Sequence, residues 1–388
     1  MGKIRKYTLK VLSKTVQICL QLIGRIYIRR GRHTTFISHV MAPEFDIKRY
    51  KGAINPYFAK WGFKFPLFET KYYEKMTGVE ADHYIPFTLL SHYLIPFLNG
   101  TEDSFDKNDQ RILFGAKLQN KKVEFIMPEQ VVYNKWGTFY DGNDEPITPE
   151  KAVELVMAYP KDIIIKPTVD SSMGKGVNLL KNEGKDNAII KSLFAQYARN
   201  FSFEERIGQH SLMAEFNPSS LNTTRIVTYR KPDGQIKFLF SILRFGKEGK
   251  VVDNASAGGK FAGVSPDGTI NRTIKSYKTL KTEMLDEHLT EKIPYFERIK
   301  QVAIHLHGKM PKYNYLGWDF SISQEGIPIL IELNLYPAIY GTQIATGPAF
   351  SKEDLEEIMP MIANWKVDFK AYPKIKFENI KGHGGEIF

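Results

Sequence analysis

The segment "GWDFSISQEGIPILIELNLYP", residues 317–337, places acidic side chains inside an otherwise apolar pattern. Strand-like runs flank a short polar stretch that ends in Gly326, a natural turn residue, so the segment predicts a β-hairpin. If Glu325 and Gly326 form a two-residue loop, counting back along both strands pairs Asp319 with Glu332.

Side chains alternate across a strand, so the two faces of this hairpin differ in polarity. The apolar face carries Trp318, Phe320, Ile322, Ile327, Ile329, Ile331 and Leu333. The polar face carries Asp319, Ser321, Ser323, Glu332 and Asn334. Opposed carboxylates repel at a cost of about 0.2–1 kcal/mol, which a bound cation would remove. Two carboxylates and an amide oxygen suit Mg²⁺ held jointly with phosphate, whereas the alternative is a solvated outer face.

The composition of the whole chain limits the classes of function. Its 388 residues are 43% hydrophobic and 13% aromatic, enough for two or three packed units. The single cysteine, Cys19, excludes an internal disulfide and suits a reducing cytosol. The formal net charge of +11 favours anionic partners. Because the basic residues are dispersed and not gathered in one motif, we expect no nucleic-acid partner.

Residues 1–32 form a basic segment whose apolar side chains recur at helical spacing. Polar residues interrupt the apolar run, so it predicts an amphipathic helix and not a transmembrane span. Two interpretations remain open: a helix packed on its own domain, or a helix on an anionic membrane surface through residues 3–32. We therefore expect a cytoplasmic protein, with peripheral contact at the inner membrane face as the second alternative.

The remaining sequence mixes helices and hairpins. Residues 33–128 are rich in aromatics, and the stretch 83–100 predicts short helices broken by proline. Strand and hairpin patterns dominate from residue 129 onward. Three helices interrupt them, at 148–159 with Thr148 as the N-cap, at 187–198 and at 291–310. This mixture predicts an α+β fold with more than one sheet.

A phosphate-binding segment is indicated by "DIIIKPTVDSSMGKGVNLL", residues 162–180. A buried strand ends at Lys166, and a loop of small residues and glycines follows it. Such a loop lets backbone N–H groups approach phosphate closely. It matches neither a Walker loop nor a dinucleotide fingerprint, and a plain hairpin turn is the alternative. The stretch "FSFEERIGQH", residues 201–210, predicts a strand that presents backbone groups to adenine, or else an ordinary edge strand.

In this order the pieces resemble the ATP-grasp superfamily. The segments "YIP…DKN…LF", "KPTVDSSMGKGV", "SLNTTRIVTYR", "VDNASAGGKFAG" and "GWDFSI…ILIELNLYP" are similar to the sugar-transfer-associated ATP-grasp family. The resemblance covers roughly residues 80–350. It implies two α+β lobes that grip ATP, at 129–206 and 207–388, preceded by a smaller domain at 33–128 and the basic helix.

The resemblance also implies ATP and Mg²⁺ as cofactors and a role for each candidate residue. Lys166 would contact the α- and β-phosphates, with Lys107 as a second phosphate lysine. The phosphates would be covered by Ser171, Ser172, Gly174, Lys175 and Gly176. Adenine would be lined by Glu204, Glu205, Arg206, Ile207 and His210. Mg²⁺ would be held by Asp319, Glu332 and Asn334.

One departure concerns the arginine that stabilises the transition state. D-alanine–D-alanine ligases carry an arginine two residues before the first metal aspartate, where this chain has Gly317. The resemblance therefore implies that Arg225 or Arg244 supplies this group, because a guanidinium fork matches a carboxylate. A structural salt bridge is the alternative interpretation of either arginine.

The chemistry implied by the resemblance is ligation. A substrate carboxylate would be activated as an acyl phosphate and attacked by an amine, giving amide, ADP and phosphate. We expect a carboxylate-bearing saccharide, such as a uronic acid, and an amine co-substrate, in capsular or exopolysaccharide biosynthesis. The alternatives are a sugar phosphotransferase and a non-catalytic nucleotide-binding scaffold in glycan assembly.

Overall fold

The computed structural model describes residues 45–100, 110, 113–114, 123–169, 176–246, 259–276 and 282–365. The predicted N-terminal helix, Lys107 and the stretch from Ser171 to Lys175 lie outside these residues. Within the described ranges, no helix combines the length and the hydropathy needed to cross a bilayer.

The N-terminal described region is helical. After a 3₁₀ turn at Ile47–Tyr50 come α1 (Pro56–Ala59), α2 (Leu67–Thr77), α3 (Phe87–Leu89), a π-helix (Leu90–Leu94) and α4 (Ile95–Asn99). The prediction of helices broken by proline is wrong at Pro96, because the helical path continues through it. Proline needs no hydrogen bond at the start of α4, and the wider π turn precedes it.

A six-stranded antiparallel sheet follows. Its strands are β1 (Gln130–Lys135), β2 (Thr138–Asp141), β3 (Pro146–Ile147), β4 (Ile163–Pro167), β5 (Asn178–Leu180) and β6 (Phe201–Glu205), in the order β3-β2-β1-β6-β4-β5. β6 pairs with both β1 and β4, so the edge-strand alternative for this segment is wrong.

Two helices cover one face of this sheet, α5 (Pro149–Ala158) and α6 (Asn187–Tyr197). The predicted cap of α5 is confirmed: the Thr148 hydroxyl accepts the Lys151 N–H at 3.2 Å, and Pro149 occupies the first turn. Odd-numbered residues of β4 and β6, such as Ile165 and Phe203, are buried beneath these helices. Alternation therefore places Lys166 and Glu204 on the opposite face.

The second sheet has seven antiparallel strands. They are β7 (Thr223–Arg230), β8 (Ile236–Phe245), β9 (Lys260–Val264), β10 (Ile270–Ser276), β11 (Thr282–Met284), β12 (Tyr315–Ile322) and β13 (Pro328–Asn334), in the order β11-β10-β9-β8-β7-β12-β13. The short helix α7 (Ser211–Ala214) precedes β7. The helix α8 (Phe296–Gly308) lies on one face, and the opposite face packs against the N-terminal helices, α9 (Tyr340–Thr346) and α10 (Lys352–Asn364). Each of the two antiparallel sheets packs against helices, which is the predicted α+β class.

The β12–β13 hairpin confirms the predicted pairing of Asp319 with Glu332, but by a different route. Ser323 pairs with Ile327, so the loop has three residues and the predicted two-residue loop is wrong. A bulge between Asp319 and Phe320 then restores the register. Leu330, and not the predicted Ile329 and Ile331, joins the α8-facing core.

A buried polar chain fixes Trp318 beneath α8. Its indole N–H donates to Thr228 Oγ1 at 2.8 Å, and Nδ1 of His307 lies 2.7 Å from the same hydroxyl. Nε2 of His307 must donate to the Tyr313 carbonyl, 3.1 Å away, so in the neutral imidazole Nδ1 accepts from the Thr228 hydroxyl. Burial is the main cause that lowers the pKa of His307 to about 4, so the imidazole is neutral at pH 7.

The polar chain predicts acid sensitivity of the fold. His307 would titrate near 6.5 when unfolded and near 4 when folded, so its stabilisation is present above pH 6.5 and lost as the pH falls towards 4. We expect this group to lower the free energy of unfolding by about 3 kcal/mol between pH 7 and pH 4. Urea unfolding of wild type and His307→Gln across this range measures it. Identical pH dependence in both proteins would contradict the assignment.

Candidate functional site

The carboxylate of Asp319 lies at the centre of a charged cluster on the second sheet. Its residue is only 4% exposed. Arg225, its pairing partner on β7, donates from Nε to Oδ1 and from Nη2 to Oδ2, each at 2.6 Å. Arg244 of β8 donates from Nη1 to Oδ2 at 3.0 Å. One carboxylate thus connects three adjacent strands.

The arginines determine the ionisation of Asp319. Burial alone would raise the pKa of this carboxyl, but the charges of Arg225 and Arg244 and their hydrogen bonds hold it below its ordinary value. Asp319 is therefore an anion at neutral pH despite its burial. The hairpin prediction treated a metal ion as the cation that offsets repulsion between Asp319 and Glu332. In the structure the two arginines already provide that compensation.

The donor chemistry of this face still fits Mg²⁺. Glu332 lies directly opposite Asp319, and Nδ2 of Asn334 donates to Asp319 Oδ2 at 3.5 Å. A carboxylate has about four acceptor sites, of which the arginines use three on Asp319 and Asn334 the fourth, so an ion would replace one of these contacts. No cluster of three His, Cys, Asp or Glu side chains occurs among the described residues. An ion here would depend on shared phosphate oxygens, the usual arrangement for Mg²⁺. The metal role of these residues stays a prediction.

A glycine explains why the arginine of D-alanine–D-alanine ligases has no counterpart here. A Cβ atom on Gly317 would lie 2.7 Å from the Cβ of Pro337. No side chain fits at this position without moving the chain that follows β13. Arg225 and Arg244 reach the same face from β7 and β8, and their role in the transition state stays a prediction.

A second charged cluster lies on the face of the first sheet opposite α5 and α6. Lys166 Nζ is 2.5 Å from Glu204 Oε2, and Ser202 Oγ donates to Glu204 Oε1 at 2.6 Å. The Lys166 and Glu204 side chains are 15% and 14% exposed. The strand register produces this contact, because Lys166 pairs with Ser202 and Glu204 stands two residues further along β6. Sequence reasoning placed both residues in the site but did not foresee their pairing.

The segment after β6 connects the two sheets. Glu205 pairs with Lys161, and Arg206 contacts Asp162 at 3.1 Å. The backbone N–H groups of Glu205 and Arg206 are both used, by the carbonyls of Glu129 and Asp162.

His210 anchors the far end of this connecting segment. Its backbone N–H donates to the Ile322 carbonyl of β12 at 2.8 Å, and its Nδ1 accepts the Leu212 N–H at the start of α7. The adenine roles of the segment from Glu204 to His210 stay predictions.

Gly176 is the described end of the predicted phosphate loop. Its φ is +77°, and a Cβ there would lie 2.9 Å from the Pro167 Cγ. The Gly176 carbonyl accepts the Tyr197 hydroxyl. Glycine is therefore required where the loop returns beside β4.

Two cavities of the described chain are lined by other residues, although Gln130, which lines the first, pairs with Glu204 across β1 and β6. One is lined by residues of β1, the β2–β3 turn and the end of α5. The other lies between residues 79–83, the start of β8 and the start of α10. Neither contains a predicted site residue.

A family model described as "Sugar-transfer associated ATP-grasp" matches residues 124–359, more than half of the chain. The protein belongs to the sugar-transfer-associated ATP-grasp family. The predicted ATP-grasp fold is thereby confirmed, as is the resemblance seen in the sequence. No curated protein sequence matches the chain significantly.

Solved structures with a similar fold share little sequence with this ATP-grasp chain. D-alanyl-alanine synthetase A from Vibrio cholerae O1 biovar eltor aligns at 16% identity and a TM-score of 0.39, over 67% of this chain and 65% of its own. The VanG D-Ala:D-Ser ligase from Enterococcus faecalis aligns at 12% and 0.37, over 66% and 59%. The ADP complex of N5-carboxyaminoimidazole ribonucleotide synthetase aligns at 11% and 0.37, over 62% and 47%. The chain thus spans about half to two thirds of these structures.

The Arg225–Asp319 contact predicts unequal effects of removing the two arginines. Arg225→Ala would leave the buried carboxylate with Arg244 as its remaining guanidinium partner, and we expect the free energy of unfolding to fall by about 3 kcal/mol. Arg244→Ala removes one hydrogen bond instead of two and should cost less. Arg225→Lys, which keeps the charge but not the fork, should lie between wild type and Arg225→Ala. Chemical denaturation measures all three, and equal losses in both alanine variants would contradict the geometry.

Proposed function

We propose that the protein is an ATP-dependent carboxylate–amine ligase that forms an amide bond with release of ADP. The observation that carries the proposal is the cluster of Asp319, Arg225 and Arg244, with Glu332 opposite, on one sheet face of an ATP-grasp chain. It gathers cations that can offset developing negative charge and carboxylates that can hold a divalent ion.

Each charged cluster has a separate task in this proposal. Lys166, oriented by Glu204, supplies a fixed positive charge to a polyphosphate at the face of the first sheet opposite α5 and α6. Arg225 holds the Asp319 carboxylate in one orientation through two hydrogen bonds. Arg244 is the candidate for binding the substrate carboxylate, since it contacts Asp319 through one guanidinium nitrogen. Mg²⁺, held by Glu332, Asn334 and Asp319, would neutralise phosphate oxygens when bound.

We propose a uronic-acid carboxylate as the group that is activated, and an amino acid or other amine as its attacker. The family's association with sugar transfer supports a saccharide. The net charge of +11 favours an anionic one. A role in capsular or exopolysaccharide biosynthesis, a cytoplasmic location, membrane contact through residues 3–32 and the domain boundaries all stay predictions.

An ADP-release assay tests the reaction class. With a uronic-acid saccharide, a panel of amines and MgATP, we expect ADP release that requires both the saccharide and an amine. Glu332→Gln, which removes a charge and little volume, should lower turnover at least 100-fold with the fold intact, because a metal-bound charge in a phosphoryl-transfer site is worth several kcal/mol. Glu283→Gln, an exposed glutamate on β11, is the matched control.

Two outcomes of this assay would contradict the proposal. A phosphorylated sugar formed without any amine would indicate a phosphotransferase. Near wild-type turnover of Glu332→Gln at saturating Mg²⁺ would remove Glu332 from the metal set.

Nucleotide binding tests the role of Lys166. Lys166→Ala should weaken ATP binding about 10-fold, the effect of one charge-assisted contact of roughly 1.5 kcal/mol. Lys292→Ala changes an exposed lysine paired with Asp267 on the second sheet and should leave affinity unchanged. Isothermal titration calorimetry with a non-hydrolysable ATP analogue measures both. Equal affinity of the Lys166 variant and wild type would exclude the phosphate contact.

A further inference from the structure

Three segments meet at the end of the first sheet that lies farthest from the segment joining the two sheets. They are the β1–β2 turn, the end of β4 and the start of β6, since Asn134 and Pro167 both pair with Phe201. The predicted phosphate loop leaves from this same end, directly after β4. We call these three segments the distal rim.

Trp136 at the distal rim is 69% exposed, and it occupies an unfavourable backbone conformation. The β1–β2 turn has two residues, Trp136 and Gly137, with φ values of +55° and +98°. Such turns favour Asn-Gly, and a bulky residue in the left-handed region is strained. The side chains of Asn200 and Asn134 hold the turn by accepting the N–H groups of Trp136 and Gly137 at 2.9 and 3.0 Å.

Arg199 extends this aromatic surface with a positive charge. Its guanidinium carbon lies 5.4 Å from the centre of the Trp136 ring. Its neighbours Ala198 and Asn200 also have positive φ values, +61° and +56°. Arg199 is exposed, and none of the ion pairs recorded in the described ranges involves it. Three residues with positive φ, from two segments, therefore support one exposed indole beside one exposed guanidinium.

We propose that Trp136 and Arg199 form a binding site for an acidic saccharide. The apolar face of a pyranose ring stacks on an exposed indole, and a guanidinium pairs with a uronate carboxylate through charge-assisted hydrogen bonds. The saccharide class rests on the proposed function, but the site uses neither the Asp319 cluster nor the Lys166–Glu204 pair, although Lys166 directly precedes Pro167 at the rim. It would hold a sugar unit beside the entrance of the predicted phosphate loop.

The turn sequence supplies a variant that separates binding from folding. Trp136→Asn creates the Asn-Gly turn that this geometry favours, so its thermal stability should equal or exceed that of wild type. Arg199→Gln removes the charge from an exposed side chain. Met284→Ala, at a 71% exposed position on the edge strand β11, is the matched control for loss of an exposed apolar side chain.

Calorimetric titration of the full chain with an oligogalacturonate, and with a neutral oligosaccharide of equal length, tests the site without nucleotide. We expect wild type and Met284→Ala to bind the acidic oligomer. Trp136→Asn should bind it at least 10-fold more weakly while unfolding at the same or a higher temperature. Arg199→Gln should lose the preference for the acidic over the neutral oligomer.

Two results would overturn the site: wild-type affinity of Trp136→Asn, or equal affinity of wild type for acidic and neutral oligomers. The ADP-release assay distinguishes this failure from failure of the ligase proposal. If Trp136→Asn keeps both saccharide binding and amine-dependent ADP release, the saccharide site is refuted and the ligase proposal stands. If saccharide binding requires Trp136 but no amine supports ADP release, the saccharide site stands and the ligase proposal is refuted.

Discussion

The buried carboxylate of Asp319 connects β12, β7 and β8 through two guanidinium groups, and the arrangement of the second sheet's polar face depends on it. Taking an anion out of water is costly, and the cost is offset here because both oxygens accept charge-assisted hydrogen bonds. The same contacts fix Arg225 and Arg244 in one place. Glu332 and Asn334 then stand beside a fixed charge, on a hairpin whose bulge sets their register.

The first sheet uses the same principle with the opposite central charge. Lys166 is largely buried against Glu204, which Ser202 also binds. In both sheets, ion pairs within the protein satisfy the charges that ATP and Mg²⁺ would contact in the proposed function. Ligand binding would therefore exchange existing pairs for new ones. Such exchange favours specificity, because a neutral ligand could not compensate for the pairs it breaks.

The sequence was informative where a feature depends on local periodicity. Alternation along one hairpin was enough to oppose Asp319 and Glu332, and the Thr148–Pro149 start of α5 follows from cap chemistry. The third loop residue shifts the strand pairing by one position, and the bulge shifts it back. The alternation of side chains in the sequence therefore reveals neither feature. The Arg225–Asp319 contact requires β7 to lie beside β12, although 94 residues separate the two side chains. The continuation of the helix through Pro96 likewise depends on a π turn that proline statistics do not indicate.

In the proposed function, a divalent ion and the nucleotide phosphates meet at the Asp319–Glu332–Asn334 face. Mn²⁺ can replace Mg²⁺ at such oxygen sites and is visible by electron paramagnetic resonance. Titration of the full chain with Mn²⁺ and a non-hydrolysable ATP analogue measures the bound ion directly. We expect nucleotide-dependent Mn²⁺ binding by wild type that is lost in Glu332→Gln, although the variant still binds the analogue. Equal Mn²⁺ binding by wild type and Glu332→Gln in the presence of the analogue would contradict it.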